Sequence, residues 1–127
     1  HDIPAEDNAK LTTLDDVIKY VKPTALIGLG GVGPVFTESM VQFMTTYCDR
    51  PIIFPLSNPS SKSEILPADA FTWSKGKAIV ASGSPFPGAE IDGVSYKPSQ
   101  GNNMYVFPGV GLGCALSKPT TIPNSVL

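Results

Sequence analysis

Apolar positions change their spacing along the chain, and each spacing implies an element. Leu14, Val17, Ile18 and Val21 recur at i, i+3, i+4 and i+7, the stripe of an amphipathic helix between Thr12 and Val21. Thr12 or Thr13 can cap it, Asp15 and Asp16 suit its first turn, and Lys22 with Pro23 closes it. Thr24 to Ile27 is a short apolar run without alternation, the pattern of a strand buried on both faces. Phe36, Met40, Phe43, Met44 and Tyr47 share one helical face, with Thr37 as a cap and Arg50-Pro51 as a stop. Ile52 to Phe54 repeats the buried-strand pattern. A third helix is expected from Pro67 to Lys75, with proline in its first turn and Gly76 beyond its end. Ala78 to Ala81 is a third strand, and Ile91 to Tyr96 a small hairpin turning at Asp92-Gly93. The apolar stretch before Leu116 holds Gly109, Gly111 and Gly113. Its helix propensity is poor, so a helix there is expected to pack closely against other backbone. His1 to Lys10 is polar and has no period.

Helices alternate with strands, which predicts an α/β domain with a parallel sheet and flanking helices. In such sheets ligands bind beyond the carboxyl ends of the strands. Three loops stand there: Gly28 to Gly33, Ser57-Asn58-Pro59, and Ser82 to Phe86. All are rich in small or polar residues, which let a ligand approach the backbone.

Composition narrows the chemistry. Charged residues make up 16% of the 127 residues, against an ordinary share of about 25%. A domain this small has much surface to cover with polar groups, so part of it is expected to be covered by something else. The net charge is −2 with no basic stripe, so nucleic-acid binding has no electrostatic basis. Apolar runs are too short for a membrane span. There is no signal peptide and the first residue is not Met, which reads as a processed chain or an excised piece. Two lone cysteines, Cys48 and Cys114, fit a reduced intracellular protein better than a disulfide scaffold. The only histidine is His1, at a terminus that cannot hold an imidazole in a catalytic triad. No cysteine or histidine cluster suits zinc. Asp15 and Asp16 point about 100° apart on a helix and do not converge on an ion. No catalytic residue and no metal ligand is therefore assigned within this chain.

Gly28-x-Gly30-x-x-Gly33 matches the dinucleotide fingerprint after a strand. A pyrophosphate cradle is one reading. The acidic ribose partner about 20 residues on is missing, however, since Asp49 precedes the next strand and Pro34 intrudes before the helix. The rival reading is a glycine loop that makes room for cofactor or substrate. Asn58 can close an Asx turn before Pro59 or meet a ligand, and Asn102 and Asn103 can cap a helix or meet a ligand.

The segments Lys22-Pro23-Thr24-Ala25-Leu26-Ile27-Gly28, Phe36-Thr37-Glu38, Arg50-Pro51-Ile52-Ile53-Phe54, Leu56-Ser57-Asn58-Pro59, Ala81-Ser82-Gly83-Ser84-Pro85-Phe86 and Gln100-Gly101-Asn102-Asn103 with Phe107-Pro108-Gly109 occur in one order. Together they resemble the malic enzyme family, the NAD(P)- and divalent-metal-dependent decarboxylases of malate. The resemblance implies that residues 1–127 are the C-terminal part of a Rossmann-like NAD(P)-binding domain. It places the pyrophosphate fingerprint, the catalytic lysine and tyrosine, and the ligands of Mg2+ or Mn2+ upstream, outside this chain. That makes Gly28 to Gly33 a decoy. It also implies a homo-oligomeric enzyme, with the remainder of the enzyme as partner, in cytoplasm or mitochondrion. Against the family pattern, Pro34 follows the glycine loop and Pro87-Gly88 replaces an aspartate-proline pair.

Carried over residue by residue, the resemblance assigns substrate contacts to Asn58, Asn102 and Asn103. It assigns the NAD or NADP side to Ser57, Asn58, Gly83, Ser84 and Asn103. Carboxamides suit that task, because each donates two hydrogen bonds and accepts two without titrating. They can orient malate without quenching the carboxylate that leaves as CO2. A non-catalytic nucleotide-binding or interaction module built on Gly28 to Gly33 is the alternative function.

Overall fold

The computed structural model describes residues 11–121; residues 1–10, with the sole histidine, lie outside them. Four short strands form one parallel sheet in the order β1-β2-β3-β6. They are β1 (Ala25–Gly28), β2 (Ile52–Pro55), β3 (Ile79–Ser82) and β6 (Ser99–Gln100). Helices α1 (Leu14–Val21), α2 (Glu38–Met44) and α3 (Pro67–Trp73) precede the first three strands. The hairpin β4 (Ala89–Ile91) and β5 (Val94–Tyr96) is antiparallel. Helix α4 (Phe107–Ser117) follows a 3-10 turn at Asn103–Val106.

Local chemistry explains the boundaries. Thr13 and Asp16 form a reciprocal capping box at α1: the Asp16 amide donates to Thr13 Oγ1 at 3.2 Å and the Thr13 amide donates to Asp16 Oδ2 at 3.0 Å. Lys22 ends α1 in the left-handed conformation at φ 49°. Thr37 caps α2 and Pro67 opens α3, as expected. The hairpin turns through Asp92 and Gly93, both at positive φ (52° and 77°), the signature of a type I′ turn.

Register sets the core. Leu26 lies beside Ile53, and Ile53 beside Val80. These three share a sheet face and are buried with Ile18, Met40, Val41, Met44 and Phe71 from the helices. The hairpin joins this core through Tyr96, whose ring lies 5.4 Å from that of Phe71.

The sequence pattern implied strands covered on both faces, and the structure corrects this. Ile27 and Ile79, which point away from the core, are 58% and 38% exposed. All three helices that feed the core lie over the Leu26–Ile53–Val80 face. Among the described residues that second face therefore stays partly open. Helix α4 brings a similar correction. It forms as expected but buries no residue, and a Cβ at Gly109, Gly111 or Gly113 would meet nothing within 4 Å. Its glycines meet no backbone of the described residues. A helix apolar on every side is built for full enclosure.

Strand β6 was not expected from the sequence. Two residues are too few to show a period, yet Ser99 and Gln100 pair in parallel with Ala81 and Ser82. Both cysteines are free thiols.

Candidate functional site

The parallel ladder continues one rung past each strand at the carboxyl edge of the sheet. The Leu56 amide donates to Gly28 O at 2.9 Å, the Gly83 amide to Pro55 O at 3.1 Å, and the Gly101 amide to Ser82 O at 2.9 Å. These bonds place the exits of β1, β2, β3 and β6 side by side. Asn58, Ser84 and Asn102 come one or two residues beyond the bonded amides, so one edge carries all of them.

Within that edge, Asn58 and Ser84 meet directly. The Ser84 hydroxyl donates to Asn58 Oδ1 in a short hydrogen bond. Asn58 Nδ2 reaches Leu56 O at 3.5 Å, a weak contact that leaves donor capacity on an exposed amide. Gly83 makes this approach possible. A Cβ there would lie 2.9 Å from Asn58 Nδ2 and would collide with the Leu56 carbonyl. Ser82 is buried, and its hydroxyl donates to Ser84 O at 2.9 Å, fixing the start of the loop.

Asn102 is half-buried and caps the 3-10 turn, its Oδ1 accepting from the Met104 amide at 2.9 Å. The cap uses the carbonyl end of the amide and leaves Nδ2 for another partner. Asn103 is exposed at the start of the same turn. The neighbouring Gly101 sits within van der Waals reach of Leu56, where an added Cβ would stand 3.4 Å from Leu56 Cδ2. Asn102 and Asn103 thus leave the sheet beside the Leu56–Asn58 turn, although no hydrogen bond links them to Asn58.

Ser57 is buried, and its hydroxyl is held twice. It accepts from the Gly31 amide at 2.9 Å and donates to Glu64 Oε1 in a short bond. The Ser57 amide also donates to Glu64 Oε2, at 3.5 Å. Glu64 is 2% exposed and is absent from the sequence-derived candidates. The available signal was a lone carboxylate between Ser63 and Ile65 in a charge-poor chain.

The glycine loop does not run into a helix. Helix α2 begins at Glu38, after Pro34 and the Thr37 cap, so the strand–loop–helix junction of a dinucleotide fingerprint is not formed. Among the described residues no group of three His, Cys, Asp or Glu side chains could hold a metal ion. Nor is any helix long and apolar enough to cross a membrane.

Residues 2–127 match the family model described as malic enzyme, NAD binding domain. The chain is 46% identical over 123 residues to the NADP-dependent malic enzyme, chloroplastic, of Zea mays, an alignment covering 97% of this chain and 19% of that protein. It is 47% identical over 115 residues to the NAD-dependent malic enzyme of Shewanella sp. (strain MR-4), covering 91% of this chain and 20% of that one. With the NAD-dependent malic enzyme of Shewanella pealeana the figures are 44% over 127 residues, 99% and 23%. The chain therefore spans about a fifth of the length of the curated relatives it matches.

Proposed function

Since the chain belongs to the malic enzyme family, we propose that it is the later part of the NAD(P)-binding domain of an enzyme that oxidises and decarboxylates (S)-malate to pyruvate and CO2. NAD+ or NADP+, if held beside Gly83, Ser84 and Asn103, would supply the hydride acceptor for oxidation of malate at C2. Asn58, Asn102 and Asn103 hold the substrate, while Gly83, Ser84, Asn58 and Asn103 line the nicotinamide side and Ser57 supports it from beneath. The observation that carries this reading is the convergence of Asn58, Gly83 and Ser84 on one carboxyl edge, the place where parallel sheets take ligands.

The residues fit a nicotinamide and a dicarboxylate. The edge is lined by small side chains and by carboxamides that hydrogen-bond without bringing charge. Holding malate against the ring makes hydride transfer effectively unimolecular, which is catalysis by positioning. The described residues do not fit a metal, so the Mg2+ or Mn2+ requirement and the acid–base steps are assigned to parts of the enzyme outside this chain. Cofactor choice is left between NAD and NADP, since the relatives bear both names. As the family resemblance implies, the proposed enzyme is intracellular and homo-oligomeric.

The test is the intact protein that carries this chain, supplied with malate, Mg2+ and either dinucleotide. Equal amounts of NAD(P)H, pyruvate and CO2 are expected. Oxaloacetate as final product, or no malate-dependent reduction, would overturn the reading. This chain alone should not turn over malate.

A further inference from the structure

Glu64 is the most deeply buried carboxylate among the described residues, at 2% exposure, and the reaction outlined above has no use for it as an acid or a base. Its surroundings explain its burial. Every acceptor it has is engaged with one of two segments. Its side-chain oxygens take the hydroxyl and amide of Ser57. Its backbone carbonyl takes the amides of Val35 and Phe36, at 2.9 and 3.0 Å. Its side chain lies against Gly28, where any Cβ would collide with the carboxylate group. Ser57 then passes the connection to the Gly31 amide. Glu64 thus touches the start, the middle (through Ser57) and the far side of the glycine loop, as well as the turn that bears Asn58.

The geometry points to Glu64 as a positioning residue that, through Ser57, locks the glycine loop to the Asn58 turn and so fixes the carboxamide relative to the nicotinamide side. The lock requires a carboxylate in particular. The Ser57 hydroxyl donates to one oxygen and the Ser57 amide reaches the other weakly at 3.5 Å, and a carboxylate offers an acceptor to each donor. A carboxamide would set its NH2 against one of them. A buried donor left without an acceptor is costly, so the Ser57 turn must move. This inference rests on the proposed reaction for its effect on turnover, but the lock itself is a statement about the loop.

The experiment therefore has two readouts on the intact protein, with Glu64→Gln, Ser57→Ala and Ser57→Thr. Hydrogen exchange reports the lock whatever the activity. The Gly31 amide should exchange at least about tenfold faster in Glu64→Gln and Ser57→Ala, as expected for loss of a protecting bond of ordinary strength. Ser57→Thr, which keeps the hydroxyl, should restore protection. Steady-state kinetics report the consequence. The kcat for malate should fall about tenfold to a hundredfold in Glu64→Gln and Ser57→Ala, the scale of a reacting group misplaced by about 1 Å. In Glu64→Gln, KM for the dinucleotide should move less than about threefold. Unchanged Gly31 exchange in Glu64→Gln overturns the lock. Faster exchange with unchanged kcat overturns its role in positioning Asn58. If Glu64→Gln does not fold, Ser57→Ala decides both points. A wild-type protein inactive on malate would overturn the proposed function, while the exchange arm would still judge the lock.

Discussion

The pairing of Ser84 with Asn58 yields a quantitative prediction. If Ser84 acts only by orienting the Asn58 amide, its removal should matter only while Asn58 is present. Ser84→Ala deletes one neutral hydrogen bond at an exposed edge, worth about 0.5–1.5 kcal/mol, or about twofold to twelvefold in kcat/KM for malate. On the proposed function, Asn58→Ala deletes an amide donor to a charged substrate, worth about 1.5–3 kcal/mol, or about tenfold to 150-fold. The double variant should then be no worse than Asn58→Ala alone, within about twofold, giving a coupling energy close to the whole Ser84 effect. Initial rates of malate-dependent NAD(P)H formation in the intact enzyme measure all four corners of the cycle. Asn58→Asp should be slower than Asn58→Ala, because it sets a negative charge beside a dicarboxylate. Penalties that multiply independently would refute the orienting role. A neutral Ser84→Ala would refute it as well.

Other parts of the molecule give further tests. Ile53 is fully buried in the middle strand, so Ile53→Ala should lower stability by about 2–5 kcal/mol, read as a lower Tm of the intact protein. Asp16 has its pKa held below the ordinary 3.8, first by its hydrogen bond from the Thr13 hydroxyl. A lowered carboxylate pKa means that the cap stabilises α1 above pH 3.8 and fades as pH falls through the lower folded value. Thr13→Val, in which residue 13 keeps only its backbone bond to Asp16, should weaken that acid dependence in a pH series of amide exchange over α1. Burial raises the Tyr47 pKa above 10.0, and its hydroxyl donates to Pro23 O at 2.9 Å. This contribution is present below pH 10.0 and is lost as pH rises through the higher folded value; Tyr47→Phe should flatten the alkaline limb of a denaturation series. Ile27→Glu should act with opposite signs in two contexts. It should reduce self-association of this chain by itself, seen by light scattering, and, on the proposal that the chain is part of a larger enzyme, destabilise the intact protein by burying the new charge.

The elements were largely legible because each has a local cause. The Leu14–Val21 stripe, the Thr13 and Thr37 caps, Pro67 at a helix start and the Asp92-Gly93 turn all act within a few residues. The loops of the candidate site were legible for a similar reason, since alternation alone puts Ser57-Asn58 and Gly83-Ser84 at strand exits. What the sequence hid is long-range. Glu64 and Ser57 are seven positions apart, and Ser57 and Gly31 are 26 apart. No periodicity encodes a carboxylate that folds back over a glycine. Strand β6 was hidden because two residues gain strand geometry only from Ala81 and Ser82. The half-open sheet face departs from the sequence pattern because apolar runs do not distinguish which face the helices cover: Ile27 and Ile79 are as apolar as Leu26 and Val80, yet only the latter pair is buried.

The candidate site is, in the end, a consequence of register. Leu26, Ile53 and Val80 occupy the helix-covered face together, and a slip of one residue in any strand would turn its core residue to the bare face. Burial of those side chains therefore pins the strands, and the pinned strands set where the last ladder bonds fall, at Leu56, Gly83 and Gly101. From those amides only one or two residues separate the sheet from Asn58, Ser84 and Asn102, too short a tether for much wandering. The remaining freedom lies in the side chains and the glycine loop, and there the structure spends its polar contacts: Ser84 on Asn58, Met104 on Asn102, Glu64 and Gly31 on Ser57. Apolar burial thus fixes the backbone coarsely, and hydrogen bonds at one edge fix the side chains of the candidate site. A core substitution that only loosens packing should therefore cost stability before turnover, whereas one that shifts β2 by a single residue should abolish turnover outright.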